Sequence, residues 1–381
     1  MKIKSLTYKN YLREWEFDEV QFDNLTLLVG ISGVGKTQIL KSIIELKKIA
    51  FGEQSNGIEW EINFESSSDI NFKWIGKFEV IEKINDSNFI FSDEDEEKKR
   101  EKPKILFEKL YKNDILIIDR NAEITLFKGN KMPKFDASES IIKILKEEDE
   151  IKPAYEAFQK VIFRDHTTNE TSLRIRRPDF VEKAKEKIKN LADLRNSNFD
   201  TFDKFLLVKS IDSELYDEIK ERFIDVFNQV EDLSIEPNTE DYPFAVTTVR
   251  IKEHGVNKWI DQEKISSGMM RTLRHICEMF LWSDGTLILI DEFENSLGLN
   301  CINVLSNDLL SENRRLQFIA TSHHPYVIDK IPHTCWKIVT RYAGKIHVYG
   351  TEKFELEKSS HENFVKLANL PQYREGIGYK S

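Results

Sequence analysis

Cysteine is scarce in this chain of 381 residues: Cys277, Cys301 and Cys335 are all there is, and they stand far apart. That excludes a disulfide framework and argues against a zinc site, whose thiolate ligands come in close pairs. Cys277 and Cys301 read as packing residues. No apolar run approaches the length of a membrane span and no charged-then-apolar leader opens the chain, so a cytoplasmic protein with no membrane partner is expected. Positive charge is not in excess either. Lys and Arg number 56 against 66 Asp and Glu, a net charge of −10, so the molecule as a whole repels a polyanion. The best local basic patch is Arg174-Ile-Arg176-Arg177, followed by Lys183, Lys185, Lys187 and Lys189. It is interspersed with Asp179, Glu182 and Glu186 and has no aromatic platform, which favours a solvated face over a nucleic-acid site.

Set against these absences is a complete phosphate loop. Gly30-Ile-Ser-Gly-Val-Gly35-Lys36-Thr37 fits G-x-x-x-x-G-K-[ST] at every defined position. Leu25-Thr-Leu-Leu-Val29 before it reads as a buried strand, and Thr37 to Lys48 after it has helical spacing at Ile39, Leu40, Ile43, Ile44 and Leu46. Strand, loop and helix thus come in the order the chemistry needs. Gly30, Gly33 and Gly35 leave the backbone free to wrap a polyphosphate with its N–H groups facing the oxygens. The contact set expected for ATP is Gly30, Ser32, Gly33, Val34, Gly35, Lys36, Thr37 and Gln38. Lys36 would bridge the β and γ phosphates, and Thr37 would offer its hydroxyl to Mg²⁺.

Near the other end, the apolar strand Thr286-Leu-Ile-Leu-Ile290 runs into Asp291-Glu292. Asp291 suits a Mg²⁺ ligand, and Glu292 suits a base that polarises the attacking water. Ile265-Ser266-Ser267-Gly268 precedes this strand by about one helix, and Gln317-Phe-Ile-Ala-Thr-Ser-His323-His324-Pro325 follows it. A serine and exposed N–H groups at a helix start form an anion site, and Met269 to Leu281 reads as that helix.

With these elements in one order, the chain resembles the ABC-class ATPases of the SMC, RecF and OLD type, and especially stand-alone bacterial members related to OLD proteins. Met1 to Asn10-Tyr11 looks like the family's first strand and its Asn-aromatic turn. Ser266-Ser267-Gly268 looks like the signature, Asp291-Glu292 like Walker B, and His323 like the switch histidine, with His324 standing where a serine is usual. The resemblance implies ATP and Mg²⁺ as cofactors, with Lys36, Glu292 and His323 as catalytic residues and Thr37 and Asp291 as metal ligands. It also implies a homodimer or higher oligomer, in which Ser266, Ser267 and Gly268 of one subunit face the phosphate loop of the other. No Q-loop glutamine is identified.

The implied fold class is α/β: a P-loop NTPase of ABC type with an accessory antiparallel sheet and a compact helical insertion lobe. Residues 1–136 would form the N-terminal half of the core, 137–233 the helical lobe, 234–350 the C-terminal half and 351–381 a polar tail. Ile58 to Phe64, Phe72 to Trp74 and Phe78 to Val80 alternate as antiparallel strands, Ser92 to Lys104 is a charged loop, and Ile115–Ile118 with Ile124–Phe127 reads as a hairpin turning at Asp119 to Ala122. The lobe lacks sustained heptads and is interrupted by Pro153 and Pro178, which excludes long coiled-coil arms. The tail is too short for the Toprim nuclease that OLD proteins carry. The leading expectation is therefore an ATP-hydrolysing switch that controls a separate effector protein, a nuclease or toxin, in bacterial anti-phage defence. A RecF-like repair ATPase on duplex DNA and a scaffold holding ATP without turnover are the alternatives.

Overall fold

The computed structural model describes residues 1–82, 102–164, 174–176, 179–238, 245–295, 297–310, 314–353 and 360–376. The charged stretch Ser92 to Arg100 and the end of the basic patch at Arg177 lie outside these. The strands in chain order are β1 (Lys2–Asn10), β2 (Trp15–Gln21), β3 (Leu25–Val29), β4 (Ile58–Glu65), β5 (Asn71–Phe78), β6 (Ile105–Lys112), β7 (Ile115–Asn121), β8 (Thr125–Phe127) and β9 (Asn130–Lys131). They continue as β10 (Val161–Arg164), β11 (Arg174–Arg176), β12 (Val230–Asn238), β13 (Ala245–Glu253), β14 (Ile260–Asp261), β15 (Leu287–Ile290), β16 (Gln317–Ser322), β17 (Trp336–Tyr342) and β18 (Lys345–Gly350).

The chain folds as two compact units, each assembled from separated segments: residues 1–164, 285–291 and 316–381 in one, 165–284 and 292–315 in the other. The first unit holds a 14-stranded sheet in the order β10-β15-β16-β3-β17-β18-β2-β1-β4-β5-β6-β7-β8-β9. From β10 to β17 the neighbours are parallel. Strands β3, β15 and β16 are buried at every position, as near-continuous apolar runs should be when both faces are covered. The helix Lys36–Ala50 buries Ile39, Leu40, Ile43 and Leu46 of the apolar stripe read from the sequence and adds Ile49, while Ile44 is only half-buried.

From β1 to β9 the sheet is antiparallel apart from its join through β2 to β18. Here β4 and β5 alternate buried and half-buried residues, so one face packs inward. Trp60 and Trp74 meet edge-on at 4.9 Å, and Phe158 of the helix Lys152–Gln159 closes on Trp74 and Phe64 at 5.4 and 5.2 Å. Glu108 is fully buried beneath them. It accepts hydrogen bonds from Trp74 Nε1 (3.0 Å), Ser140 Oγ (2.6 Å) and the Ile141 amide (2.9 Å), with the Arg120 guanidinium at 3.4 Å. Burial still pushes its carboxyl above the usual range. The partners are what make an acid tolerable there.

The α/β class expected from the sequence is the observed one, with three local corrections. The β7–β8 hairpin exists, but β7 runs through Asp119, Arg120 and Asn121 because those residues pair with β6 and β8. Within the stretch expected to be helical, Val161–Arg164 is instead a strand, recruited by parallel pairing to Leu287–Ile290, and Arg174–Arg176 and the start of Val230–Asn238 are strands that pair with Ala245–Glu253. The polar tail is not featureless: Ser360–Asn369 and Pro371–Glu375 are helices, and Leu367 is buried.

The second unit packs the helices Thr201–Ile211, Ser213–Val226 and Ser267–Leu281 with a small sheet, β11-β13-β12, to which β14 adds. Phe205, Ile219 and Phe223 are buried in it. So is Lys204, whose ammonium lies 4.1 Å over the Trp282 ring and donates to the Arg195 carbonyl at 2.8 Å. Burial brings its pKa down to about 7.

Candidate nucleotide site

Strand β3 ends at Val29, and the phosphate loop leads from it directly into the helix Lys36–Ala50. Gly35 has φ +106°, and a Cβ there would lie 2.5 Å from Ile346 Cδ1, so both backbone and space demand glycine. No side chain caps this helix. Its first-turn N–H groups therefore suit an anion in a way a capped terminus does not. Lys36 is buried, with Nζ 2.7 Å from the Gly30 carbonyl and 2.9 Å from that of Ile31. Ser32 and Gly33 are exposed, whereas the Val34 side chain belongs to the core and leaves only its backbone to face a ligand. Gln38 Oε1 accepts from Arg341 Nη1 at 3.0 Å, so that side chain is engaged with β17.

Asp291 follows β15 at the carboxyl edge of the parallel strands, where open α/β sheets bind ligands. Its Oδ1 accepts from Thr37 Oγ1 at 2.9 Å and from Thr321 Oγ1 at 2.7 Å. The two residues proposed from sequence as metal ligands are thus neighbours in space, joined by a third that sequence reasoning passed over. A signal for Thr321 existed: Ile290 pairs with Ala320, so the residues after them, Asp291 and Thr321, share a face. On the other side of Asp291, its amide donates to the Arg164 carbonyl at 3.0 Å, which makes β10 its outer flank. Among the described residues no cluster of three His, Cys, Asp or Glu could hold a metal unaided. A hydroxyl and one carboxylate fit Mg²⁺, which leans on substrate phosphates and water for most of its coordination.

A cleft of about 530 Å³ is lined by Tyr11 of the β1–β2 turn, Trp15 at the start of β2, Ala343 and Gly344 of the β17–β18 turn, and Tyr342 and Lys345 at the strand ends beside them. Tyr11 donates its phenol to Glu59 Oε2 at 2.6 Å, and the ammonium groups of Lys77 and Lys9 lie 4.3 and 4.7 Å from its ring centre.

Right after β16, His323 is exposed. His324 has a definite job: its Nδ1 accepts the Tyr326 amide at 3.2 Å and caps the helix Pro325–Lys330. A serine at this position would do the same work, which removes the puzzle of the substitution.

In the second unit, Ser266 caps the helix Ser267–Leu281 by accepting the Met269 amide at 3.2 Å; Ser266 and Ser267 are exposed. Glu292 is exposed and holds φ +49°, in a turn closed by the Asn295 amide on its carbonyl at 2.9 Å. Arg271 donates to the Asn295 carbonyl. Burial lowers the Arg271 pKa to about 10, and the negative charge of Glu292 opposes that shift.

A family model described as "AAA domain, putative AbiEii toxin, Type IV TA system" matches residues 25–329. The chain belongs to this AAA-domain family. Membership places it among P-loop ATPases, and the matched span runs from β3, ahead of the phosphate loop, past Asp291 and His323. No curated protein matches this AAA-domain chain. Similar solved structures include an SMC head bound to the C-winged helix domain of ScpA, with 12% identity, TM-score 0.46, and 92% of this chain and 97% of that one covered. Another is the SMC head domain from Thermotoga maritima, with 12% identity, TM-score 0.42, and 92% and 99% covered. A third is an SMC head with an extended coiled coil, bound to the C-terminal domain of ScpA and derived from Pyrococcus furiosus, with 13% identity, TM-score 0.45, and 92% and 97% covered. No helix among the described residues is long and apolar enough to cross a membrane.

Proposed function

We propose that this protein is an ATP-hydrolysing molecular switch that dimerises head to tail around ATP and controls a separate effector protein, in bacterial defence against phage. The observation that carries the reading is the contact of Thr37 with Asp291, 2.9 Å between residues at opposite ends of the motif set. It puts a hydroxyl and a carboxylate beside the loop whose buried lysine supplies the positive charge. Lys36 holds the β and γ phosphates, the uncapped helix start offers N–H groups to their oxygens, and the cleft at Tyr11 and Tyr342 has room for the nucleoside. Thr37 and Asp291 would hold Mg²⁺, which would supply charge neutralisation to the phosphates. Glu292 takes the proton of the attacking water, and His323 senses the γ phosphate. Ser266, Ser267 and Gly268 of one protomer close on the phosphate loop of its partner, both serines being exposed at the helix start. The family description, an AAA domain and putative toxin of a toxin–antitoxin system, supports the ATPase part of this reading.

Glu292→Gln tests the reading. Turnover of ATP should fall about 100-fold with affinity little changed, the mark of a group used only in the transition state. Light scattering with ATP should show twice the protomer mass. Normal turnover sinks the role of Glu292, and an unchanged mass with ATP bound sinks the dimer. Affinity capture of this variant from its host should recover a stoichiometric protein; recovery of nucleic acid instead would replace the effector with DNA.

A further inference from the structure

The geometry points to the C-terminal turn, Pro371–Gly376, as an outer wall of the nucleotide site that braces the phosphate loop in its binding shape. Chain order gives no reason to expect this, because more than three hundred residues separate Gly376 from Gly30. Four contacts make the case. The first is steric: a Cβ on Gly376 would lie 2.6 Å from Ile31 Cδ1, 2.7 Å from Ile31 Cγ1 and 2.8 Å from Val34 Cγ1. Two side chains of the phosphate loop are thus seated on the bare backbone of one glycine. The second is a tether, for the Gly376 carbonyl accepts the Arg341 amide at 2.7 Å and so fixes the turn to β17.

The third contact extends the tether, since the Arg341 guanidinium donates to Gln38 Oε1 at 3.0 Å in the first turn of the phosphate-loop helix. The fourth lies across from it, where Ile346 of β18 packs against Gly35. The loop is therefore gripped on its Ile31–Val34 stretch by the C-terminal turn and at its Gly35–Gln38 end by the β17–β18 hairpin. Gly376 suits its place twice over: it is buried, and it holds φ +65°, the left-handed cap that ends the helix Pro371–Glu375.

A phosphate loop works by presenting its N–H groups in one fixed arc, and the free energy of ordering that arc is withdrawn from affinity if it has to be supplied on binding. The Ile31 carbonyl is held by Lys36 Nζ at 2.9 Å and its side chain by Gly376. Gly376 and Arg341 are accordingly positioning residues, and their contribution is to ground-state binding of ATP rather than to the chemical step.

The inference rests on the loop being the ATP site, so affinity of the unmodified protein and of Lys36→Ala is measured first; equal affinity in the two would remove the ATP site and the brace together. Given a loop that binds, Gly376→Ala should weaken ATP about tenfold while leaving the turnover at saturation within about twofold, because only preorganisation is lost. Adding Ile31→Ala, which takes away the atoms nearest the new methyl, should recover most of that loss. An unchanged affinity in the folded Gly376→Ala protein overturns the brace. A tighter one overturns it as well, since the turn would then be an obstruction. If the substitution prevents folding, hydrogen exchange on the unmodified protein decides: ATP should slow the amides of Tyr373 to Gly376 and of Arg341, and equal rates with and without ATP would refute the coupling.

Discussion

The two halves of the large sheet solve different problems with the same backbone. In the parallel half, β3, β15 and β16 are buried on both faces, and their polar chemistry is confined to the carboxyl ends, where Asp291, Thr321 and the phosphate loop meet. In the antiparallel half, charged side chains are spread over the outer face, with Ile75 and Tyr111 among them. There Lys77 pairs with Glu59 at 2.9 Å, Lys73 with Glu61 at 2.6 Å and Lys109 with Asp119 at 3.6 Å, while Trp60, Trp74 and Phe78 fill the other face. A strand covered on both sides can expose function only where it stops. The antiparallel half, free on one side, contributes a hydrophobic platform instead.

The largest effect should come from breaking that platform. Trp74→Ala removes a fully buried indole and leaves Glu108 short of a donor, so unfolding in urea should show a loss of about 3–5 kcal/mol. ATP affinity of the protein that remains folded should stay within about twofold, since no strand end of the parallel half is touched. A loss of affinity beyond tenfold at full folding would show that the two halves are not separable.

The same division explains what could be read from the sequence. The phosphate loop, its helix and β15 were legible because a long apolar stripe and fixed motif spacing are local signals. Strand β10 was not: Val161 to Arg164 is four residues long amid helical patterns, and only its pairing with Leu287–Ile290 makes it a strand. Thr321 lay in plain view, but its role is set by register with a strand that is distant in sequence. His324 looked like a departure from pattern until its cap on Tyr326 was visible. The C-terminal turn carries no motif at all, and its contact with Ile31 and Val34 depends on folding across the entire chain.

Thr321→Val should have the next largest effect, and the opposite signature. Shape is kept and one hydroxyl is lost from Asp291, leaving that carboxylate held by Thr37 alone of the two hydroxyls. A hydrogen bond to a charged group is worth about 1.5–3 kcal/mol, so Mg-ATP affinity should fall between about 10-fold and about 150-fold. Stability should fall by less than about 1 kcal/mol, because metal and water can take over the freed oxygen. A calorimetric titration with Mg-ATP beside one with ATP and chelator would check it: the Thr321→Val penalty should appear with Mg²⁺ and shrink without it. An equal penalty in both would place Thr321 in the fold rather than in the cation's surroundings.

The smallest effect is the one that most sharpens the contrast. Lys73→Gln removes the cation of a 2.6 Å pair on the outer face, a geometry that looks strong on distance alone. Both side chains are more than a third exposed, at 38% and 39%, so water already screens the attraction and ordering two long side chains offsets much of it. The loss in unfolding free energy should be below about 0.5 kcal/mol and should vanish in molar salt. ATP binding should not change. If Lys73→Gln instead cost as much as Thr321→Val costs in affinity, the outer face would have to be more than a solvated covering. The row of pairs from Glu59 to Asp119 would then act as one network, and a double substitution at Lys73 and Lys77 would show it by losing less than the sum of the two alone.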